Sequence, residues 1–355
     1  MANGSRALVL GATGQIGRPA VRALAEDGWE VTAASRGGAR DARWPSQVRA
    51  VALDRDEPGA LEAAVGDGFD LLLDVTAMTA AHARQIAGLA GRLGSAVVLS
   101  SAAVYEDEKG RSFATQNEPD GWPRYRVPVA ETDRTMRPDE EAYGARKVLI
   151  ENELTALGDR LPVTMLRASA VYGPYCRTPR EVYFVKRWLD GRRVRLLAYN
   201  GESRFHPVHV DNIAELVRLA GRRPGSRVLN AADPQAPTVA RIAEMHDEAL
   251  GWKCETVLVD GAPPADAPSV GLTPWTLPHP LVLDMTAAER ELGYRPVTTY
   301  EQALPATVEW LADHVRGRDV AEALPKLATA YEPLEQLFDY AAEDRWLAAH
   351  GGHGG

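Results

Sequence analysis

Tyr143 and Lys147 stand four residues apart in the segment Tyr143-Gly144-Ala145-Arg146-Lys147, and on a helix that spacing puts both side chains on one face. An ammonium held beside a phenol favours the phenolate, so such a tyrosine can exchange a proton near neutral pH. By itself the pair is a common coincidence, equally served by a half-buried Tyr next to a solvated Lys. Its company gives it meaning: a Gly-rich turn near the N-terminus and a strand end reading Leu99-Ser100-Ser101 both lie upstream. Together they point to hydride chemistry.

The turn reads Gly11-Ala12-Thr13-Gly14-Gln15-Ile16-Gly17, directly after the apolar run Leu8-Val9-Leu10 and before an amphipathic stretch. Glycines there let the chain turn tightly, let a pyrophosphate reach the backbone and let the helix pack on the strand, whose helix N-terminus then attracts the phosphates. Gly11, Thr13, Gly14, Gln15, Ile16 and Gly17 are therefore expected to hold a dinucleotide. An acid at the end of the second strand, about twenty residues on, would bond the 2′-hydroxyl of NAD. Here that end reads Ala33-Ala34-Ser35-Arg36, a hydroxyl and a cation suited to a 2′-phosphate. Ser35 and Arg36 predict NADP(H) ahead of NAD(H). Beyond the third strand, Asp54 of Asp54-Arg55-Asp56 is placed to accept a bond from the adenine amine.

These residues need elements to carry them. Short apolar runs predict strands at Ala7–Leu10, Glu30–Ala34, Val48–Leu53, Leu71–Val75, Ala96–Ser100 and Val163–Arg167, with helices at Arg18–Glu26, Leu61–Val65, Ala80–Arg92 and Glu140–Leu157 between them. Strand and helix in alternation specify an α/β protein with a doubly wound parallel sheet. The last helix is expected to open at Pro138 with Asp139, Glu140 and Glu141 in its first turn. Past Pro174 the texture changes: a helix Glu181–Leu189, a strand Arg227–Asn230, a helix near Val239–Leu250, and a Pro-rich loop over 262–280. The expected division is a nucleotide-binding domain over 1–174 and a substrate lobe over 175–315, part of which returns to the first domain. A helical extension follows over 316–355, its end, with His350 and His353, disordered rather than metal-binding.

Composition bounds the rest. The chain has 355 residues, 45% hydrophobic and 25% charged, which is the balance of a globular protein with a sizeable core. No signal peptide and no apolar run near the ~20 residues of a membrane helix are evident. Two cysteines, Cys176 and Cys254, fit a reducing cytoplasm rather than a disulfide framework. A net charge of −9 argues against a nucleic-acid surface. The expected partners are a small-molecule substrate and, in a homodimer, a second copy of the chain; neither a membrane nor a metal is expected.

The whole pattern resembles the extended short-chain dehydrogenase/reductase family, the NAD(P)-dependent epimerases, dehydratases and reductases. The resemblance covers about residues 6–312 and rests on the segments 11–17, 54–56, 99–105, 143–147, Arg167–Pro174 and Val208-His209-Val210-Asp211. It implies a Rossmann-type fold with a smaller C-terminal lobe. It also implies that Ser101 bonds the substrate oxygen, Tyr143 moves the proton, Lys147 binds the nicotinamide ribose and lowers the Tyr143 pKa, and the backbone of Val171 and Tyr172 holds the nicotinamide. Relatives acting on nucleotide sugars usually have Asn where this chain has Ala170, and an Arg in the register of Phe205, with Arg204 one place out. Ala102, Tyr183, Arg187, Arg204 and Trp275 are the candidate substrate residues, the aromatics and cations among them expected to face the cleft. The favoured reading is an NADP(H)-dependent reductase or dehydrogenase of biosynthesis. An epimerase or dehydratase of (nucleotide-)sugars and a non-enzymatic NADP-binding sensor or RNA-associated protein are the alternatives.

Overall fold

The computed structural model describes residues 4–350. Six strands follow one another: β1 (Arg6–Leu10), β2 (Glu30–Ser35), β3 (Arg49–Ala52), β4 (Phe69–Asp74), β5 (Leu93–Ser101) and β6 (Val163–Ala168). Helices α1 (Gly17–Glu26), α2 (Ala60–Val65), α3 (Ala80–Gly88) and α4 (Tyr143–Thr155) lie between them. With the later strand Arg227–Ala231 they make one seven-stranded sheet, in the order Arg227–Ala231, β6, β5, β4, β1, β2, β3. Every pairing is parallel, and strands covered by helices on both faces read as unbroken apolar runs. Leu8, Leu72 and Val98 from the strands meet Leu61, Ile86, Ile150 and Leu154 from the helices in a buried core, each such side chain contributing about 1.5–3 kcal/mol. The order reverses between β1 and β4, so the carboxyl ends of the central strands open on a crevice, where ligands of such sheets bind.

Two helices differ from the expected bounds for local reasons. The Asp139 carboxylate accepts the amides of Glu141 and Ala142 at 2.8 and 3.1 Å, closing a turn of its own, and Ala142 is extended. Hence α4 begins at Tyr143 rather than Glu140. The expected helix Ala80–Arg92 ends at Gly88 and is followed by a single 3₁₀ turn, Ala90–Arg92.

The chain divides into two compact units. The first takes everything through Ala170 together with Val208–Asp233 and Leu283–Thr298; the second takes Val171–Pro207, Pro234–Val282 and the chain from Thr299 onward. The boundary at 174 thus moves to 170, and the returning parts have clear causes. Arg227–Ala231 extends the sheet by pairing with β6, and the helix Val210–Arg222 joins α1 through the ion pair of Arg22 with Asp211.

In the second unit Val194–Leu197 pairs in parallel with Glu255–Leu258, among the helices Val182–Leu189, Val239–Leu250 and Tyr300–Val315. The Pro-rich segment 262–280 contains neither helix nor strand. The tail is not a separate extension but belongs to this unit. It is broken into Val320–Ala323, Pro325–Ala330, a 3₁₀ turn Leu334–Phe338 and Tyr340–His350. Ala342 packs against Leu196, Val259 and Val270, and the buried Glu343 pairs with the buried Arg187 at 3.0 Å and with Arg192 at 3.2 Å. His350 bonds the Trp346 carbonyl at 2.9 Å; His353 and the expected disordered end lie outside the described residues. No helix among the described residues is long and apolar enough to cross a membrane.

Candidate active site

The Gly-rich turn joins β1 to α1 as its sequence demands. A β-carbon on Gly17 would stand 2.2 Å from the Gly11 carbonyl oxygen and 2.7 Å from the Ala12 α-carbon, so only glycine lets α1 start this close to the strand. Among the described residues nothing accepts from the amides of Thr13, Gln15 or Ile16, and the buried Gln15 Nε2 also lacks a partner. Unsatisfied donors at a helix N-terminus form an anion cradle. At the end of β2 the Ser35 hydroxyl is likewise buried without a partner. The neighbouring Arg36 is exposed, with no hydrogen bond or ion pair among the described residues. Asp54 closes its own turn by accepting the Asp56 amide at 3.1 Å. These orphaned donors fit a phosphorylated dinucleotide, and the hydroxyl and guanidinium beside them fit a 2′-phosphate.

Ser101 ends β5 and Tyr143 and Lys147 lie on the first turns of α4, all within the first unit. The contact that unites them is Gly144: a β-carbon there would be 2.1 Å from the Ala103 carbonyl oxygen and 2.7 Å from the Met136 sulfur. Close approach of α4 to the 3₁₀ turn Ala102–Val104 brings the Tyr143 phenol near the Ser101 hydroxyl, which draws the phenol pKa down while the Ser101 oxygen accepts the Ala103 amide at 3.2 Å. Tyr143 keeps 42% of its surface exposed, whereas Lys147 is buried, 4% exposed. Its ammonium donates to the carbonyls of Ala77 at 2.6 Å and Leu99 at 3.0 Å, which uses two of its three protons.

The charges here differ from the expectation. Loss of hydration pushes the Tyr143 phenol up from its ordinary pKa, opposed by the Ser101 hydroxyl and the Arg146 charge. Lys147 stands 5.8 Å from the ring centroid and is not among the groups that move the phenol. Burial pushes Lys147 itself down to about 8, against the pull of Asp74 and Glu151. The Lys147 cation is thus maintained by carboxylates behind it rather than by the phenol in front.

Those carboxylates belong to two buried networks. Asp74, fully buried at the end of β4, accepts from the Thr76 amide and hydroxyl at 2.7 and 2.8 Å and pairs with the Arg55 guanidinium. Arg55 also holds Gln85 at 2.9 Å, so the segment that presents the Ala77 carbonyl to Lys147 is fixed from behind. Glu151, one turn beyond Lys147, takes Arg167 at 2.7 Å and the Ser100 hydroxyl. Arg167 donates to the Tyr105 hydroxyl at 3.1 Å, and that hydroxyl donates to Asn230 at 2.6 Å. Arg55 and Gly144 were visible in the quoted motifs, but nothing in sequence marks what they touch. His209 of the Val-His-Val-Asp segment accepts the Asp211 amide at 3.2 Å, capping its helix.

The substrate candidates part company. Ala102 is buried beside Ser101 in the 3₁₀ turn. Tyr183 is fully buried, its hydroxyl donating to the Leu196 carbonyl at 3.4 Å. Arg187 is buried in the pair with Glu343. Both were expected to face the cleft and instead hold the second unit together. Trp275 is 1% exposed, and Arg204 donates to the Ala236 carbonyl at 2.7 Å. Val171 and Tyr172 fall in the second unit, with the Tyr172 ring 4.6 Å from that of Tyr300 and tilted 38° to it.

The model of the NAD dependent epimerase/dehydratase family matches residues 7–232. The chain belongs to this family. Among its relatives are 2'-dehydrokanamycin reductase of Streptomyces kanamyceticus, 28% identical over 62% of each chain. Another is UDP-glucuronate 4-epimerase 1 of Arabidopsis thaliana, 27% identical over 52% of this chain and 45% of that one. The match thus spans about half to three fifths of the length of these curated relatives. Of solved structures, UDP-N-acetylglucosamine 4-epimerase from Methanobrevibacter ruminantium, at 19% identity, gives a TM-score of 0.64 over 87% of this chain and 99% of that one. The dTDP-glucose 4,6-dehydratase of Bacillus anthracis, solved in complex with NAD, gives 0.64 at 16% identity, over 88% and 98%. At those identities the structural likeness speaks for the family's fold alone.

Proposed function

We propose that this family member is an NADP(H)-dependent oxidoreductase that interconverts a carbonyl and a hydroxyl on a small-molecule, biosynthetic substrate, with Tyr143 as acid and base. The observation that carries the reading is the meeting, at one strand end, of the Tyr143 phenol, the Ser101 hydroxyl that influences it and an ammonium tied to two carbonyls. The cradle Gly11–Gly17 would hold the pyrophosphate, Ser35 and Arg36 the 2′-phosphate, Asp54 the adenine, and the third proton of Lys147 a ribose hydroxyl. When bound, the nicotinamide supplies or accepts hydride. Tyr143 gives its proton to the substrate oxygen in reduction and recovers it in oxidation. Ser101 donates to the same oxygen, where charge develops.

A reductase reading gains from the longer match to 2'-dehydrokanamycin reductase and from Ala170 and Phe205, which depart from the nucleotide-sugar pattern. The relationship to UDP-glucuronate 4-epimerase supports the second reading, an epimerase or dehydratase that returns the hydride within one cycle. Incubating the protein with NADPH and a panel of carbonyl compounds separates the two. Net loss of absorbance at 340 nm, a property of NADPH, marks a reductase; a changed substrate with no net oxidation marks the alternative.

A further inference from the structure

Arg180, in the second unit, lies against two aromatic rings and makes no hydrogen bond among the described residues. Its guanidinium lies 4.6 Å from the centroid of the Phe205 ring and 5.7 Å from that of Trp275. Trp275 is itself locked edge-on against Tyr300 at 6.1 Å, so the platform is rigid. Yet the Arg180 Nε is buried without a partner, and among the described residues no acceptor takes any of its guanidinium protons. The buried arginines of this unit, Arg187 and Arg195, are by contrast each paired with a carboxylate, while Arg180 is only partly buried. Glu181, the next residue, is buried and accepts from the Tyr300 hydroxyl at 3.3 Å; burial pushes its carboxyl above the ordinary pKa against the pull of the Arg180 charge, and the two make no ion pair within 4 Å. Arg204, the cation expected from sequence, is instead engaged with the Ala236 carbonyl.

We infer that Arg180, stacked on Phe205 and Trp275, is a binding site for an oxyanion group, a carboxylate or a phosphate, received by the planar fork of its guanidinium. The two rings meet edge to face at 75° and confine the guanidinium from two sides, so less side-chain freedom is lost on binding, and two parallel N–H···O bonds then favour a planar or tetrahedral oxyanion over a halide. The inference deepens the proposed function in naming a group carried by the substrate, and it rests on that reading only for the claim that the oxyanion is the substrate's.

The test titrates the full chain with inorganic phosphate, malonate and UDP by calorimetry, in the wild type, Arg180→Met and Arg204→Met, with NADPH titrated into the same preparations. Saturable binding of a probe by the wild type, weakened at least tenfold in Arg180→Met and unchanged in Arg204→Met, is expected; phosphate, malonate or UDP as the tightest probe tells phosphate, carboxylate and nucleotide apart. Absence of saturable binding by the wild type, or equal binding by Arg180→Met, overturns the site. If Arg180→Met does not fold, the wild type is labelled with phenylglyoxal and mapped by mass spectrometry: protection of Arg180 by the bound probe supports the site, and labelling unaffected by every probe overturns it. NADPH binding without a probe site removes only this inference; a probe site without NADPH binding removes the oxidoreductase reading and leaves the site standing.

Discussion

A β-carbon on Gly144 would lie 2.1 Å from the Ala103 carbonyl oxygen, so the glycine beside Tyr143 sets the distance between the helix that carries the proton donor and the strand end that carries Ser101. Gly144→Ala must push α4 away from that carbonyl. The expected result is a loss of about 1–3 kcal/mol in stability together with a fall in kcat larger than in an equally destabilised variant of the remote core, Leu154→Ala. Denaturant titration beside steady-state kinetics checks it, and parallel losses in both variants would sever Gly144 from catalysis.

Tyr143→Phe removes the phenolic proton while keeping the ring, which is 42% exposed. Turnover is expected to fall by roughly 10²–10⁴-fold with circular dichroism and NADPH affinity unchanged. Turnover near the wild-type value would take Tyr143 out of the mechanism.

The unpartnered Ser35 hydroxyl and the exposed Arg36 predict NADPH bound at least tenfold more tightly than NADH, since one charge-assisted hydrogen bond is worth about 1.5–3 kcal/mol. Replacing both, Ser35→Asp with Arg36→Ala, should invert the preference, because a carboxylate repels the 2′-phosphate and accepts a 2′-hydroxyl. Calorimetric affinities for the two nucleotides decide it; equal values in the wild type would refute the assignment.

Acid stability should depend on His246, buried in the second unit with Nδ1 2.8 Å from the Ile242 carbonyl and its ring 4.3 Å from Phe184. Burial pushes its pKa from 6.5 down to about 3. Above pH 6.5 neither folded nor unfolded chain holds this proton and the stability is complete; below it the unfolded chain alone takes the proton. Stability therefore falls as pH drops from 6.5 toward 3, by up to about 1.4 kcal/mol per unit. Denaturation midpoints of the wild type and His246→Phe at pH 7.5, 6 and 5 should diverge in slope, the variant losing less. Identical slopes would exclude His246 as the titrating group.

What sequence reveals here is what neighbours in the chain decide. The turn Gly11–Gly17, the apolar strands and the helix Val239–Leu250 are written in local pattern, because glycine geometry and burial on two faces leave few other solutions. The effect of Lys147 on Tyr143 is expected from spacing alone, whereas Asp74 and the Ala77 and Leu99 carbonyls that hold the ammonium come from distant segments that no spacing announces. Tyr183 and Arg187 show the same limit, since an aromatic and a cation on one helix serve a binding surface or a buried ion pair equally well, and only Glu343 decides. The platform of Arg180 joins three segments that the sequence keeps far apart.

The pair Arg187–Glu343 spans 156 positions. During synthesis, at roughly 5–20 residues per second, the Arg187 cation leaves the ribosome well before the carboxylate that neutralises it has been translated. Until then its helix cannot enter the core without burying an unpaired charge, which costs several kcal/mol. The parallel sheet up to β6 can settle while translation continues, but the second unit must wait until Glu343 has been translated. A message truncated between the Ala231 and Glu343 codons therefore yields a chain with all seven strands of the sheet and an unfinished second unit, a product that quality-control proteases should recognise.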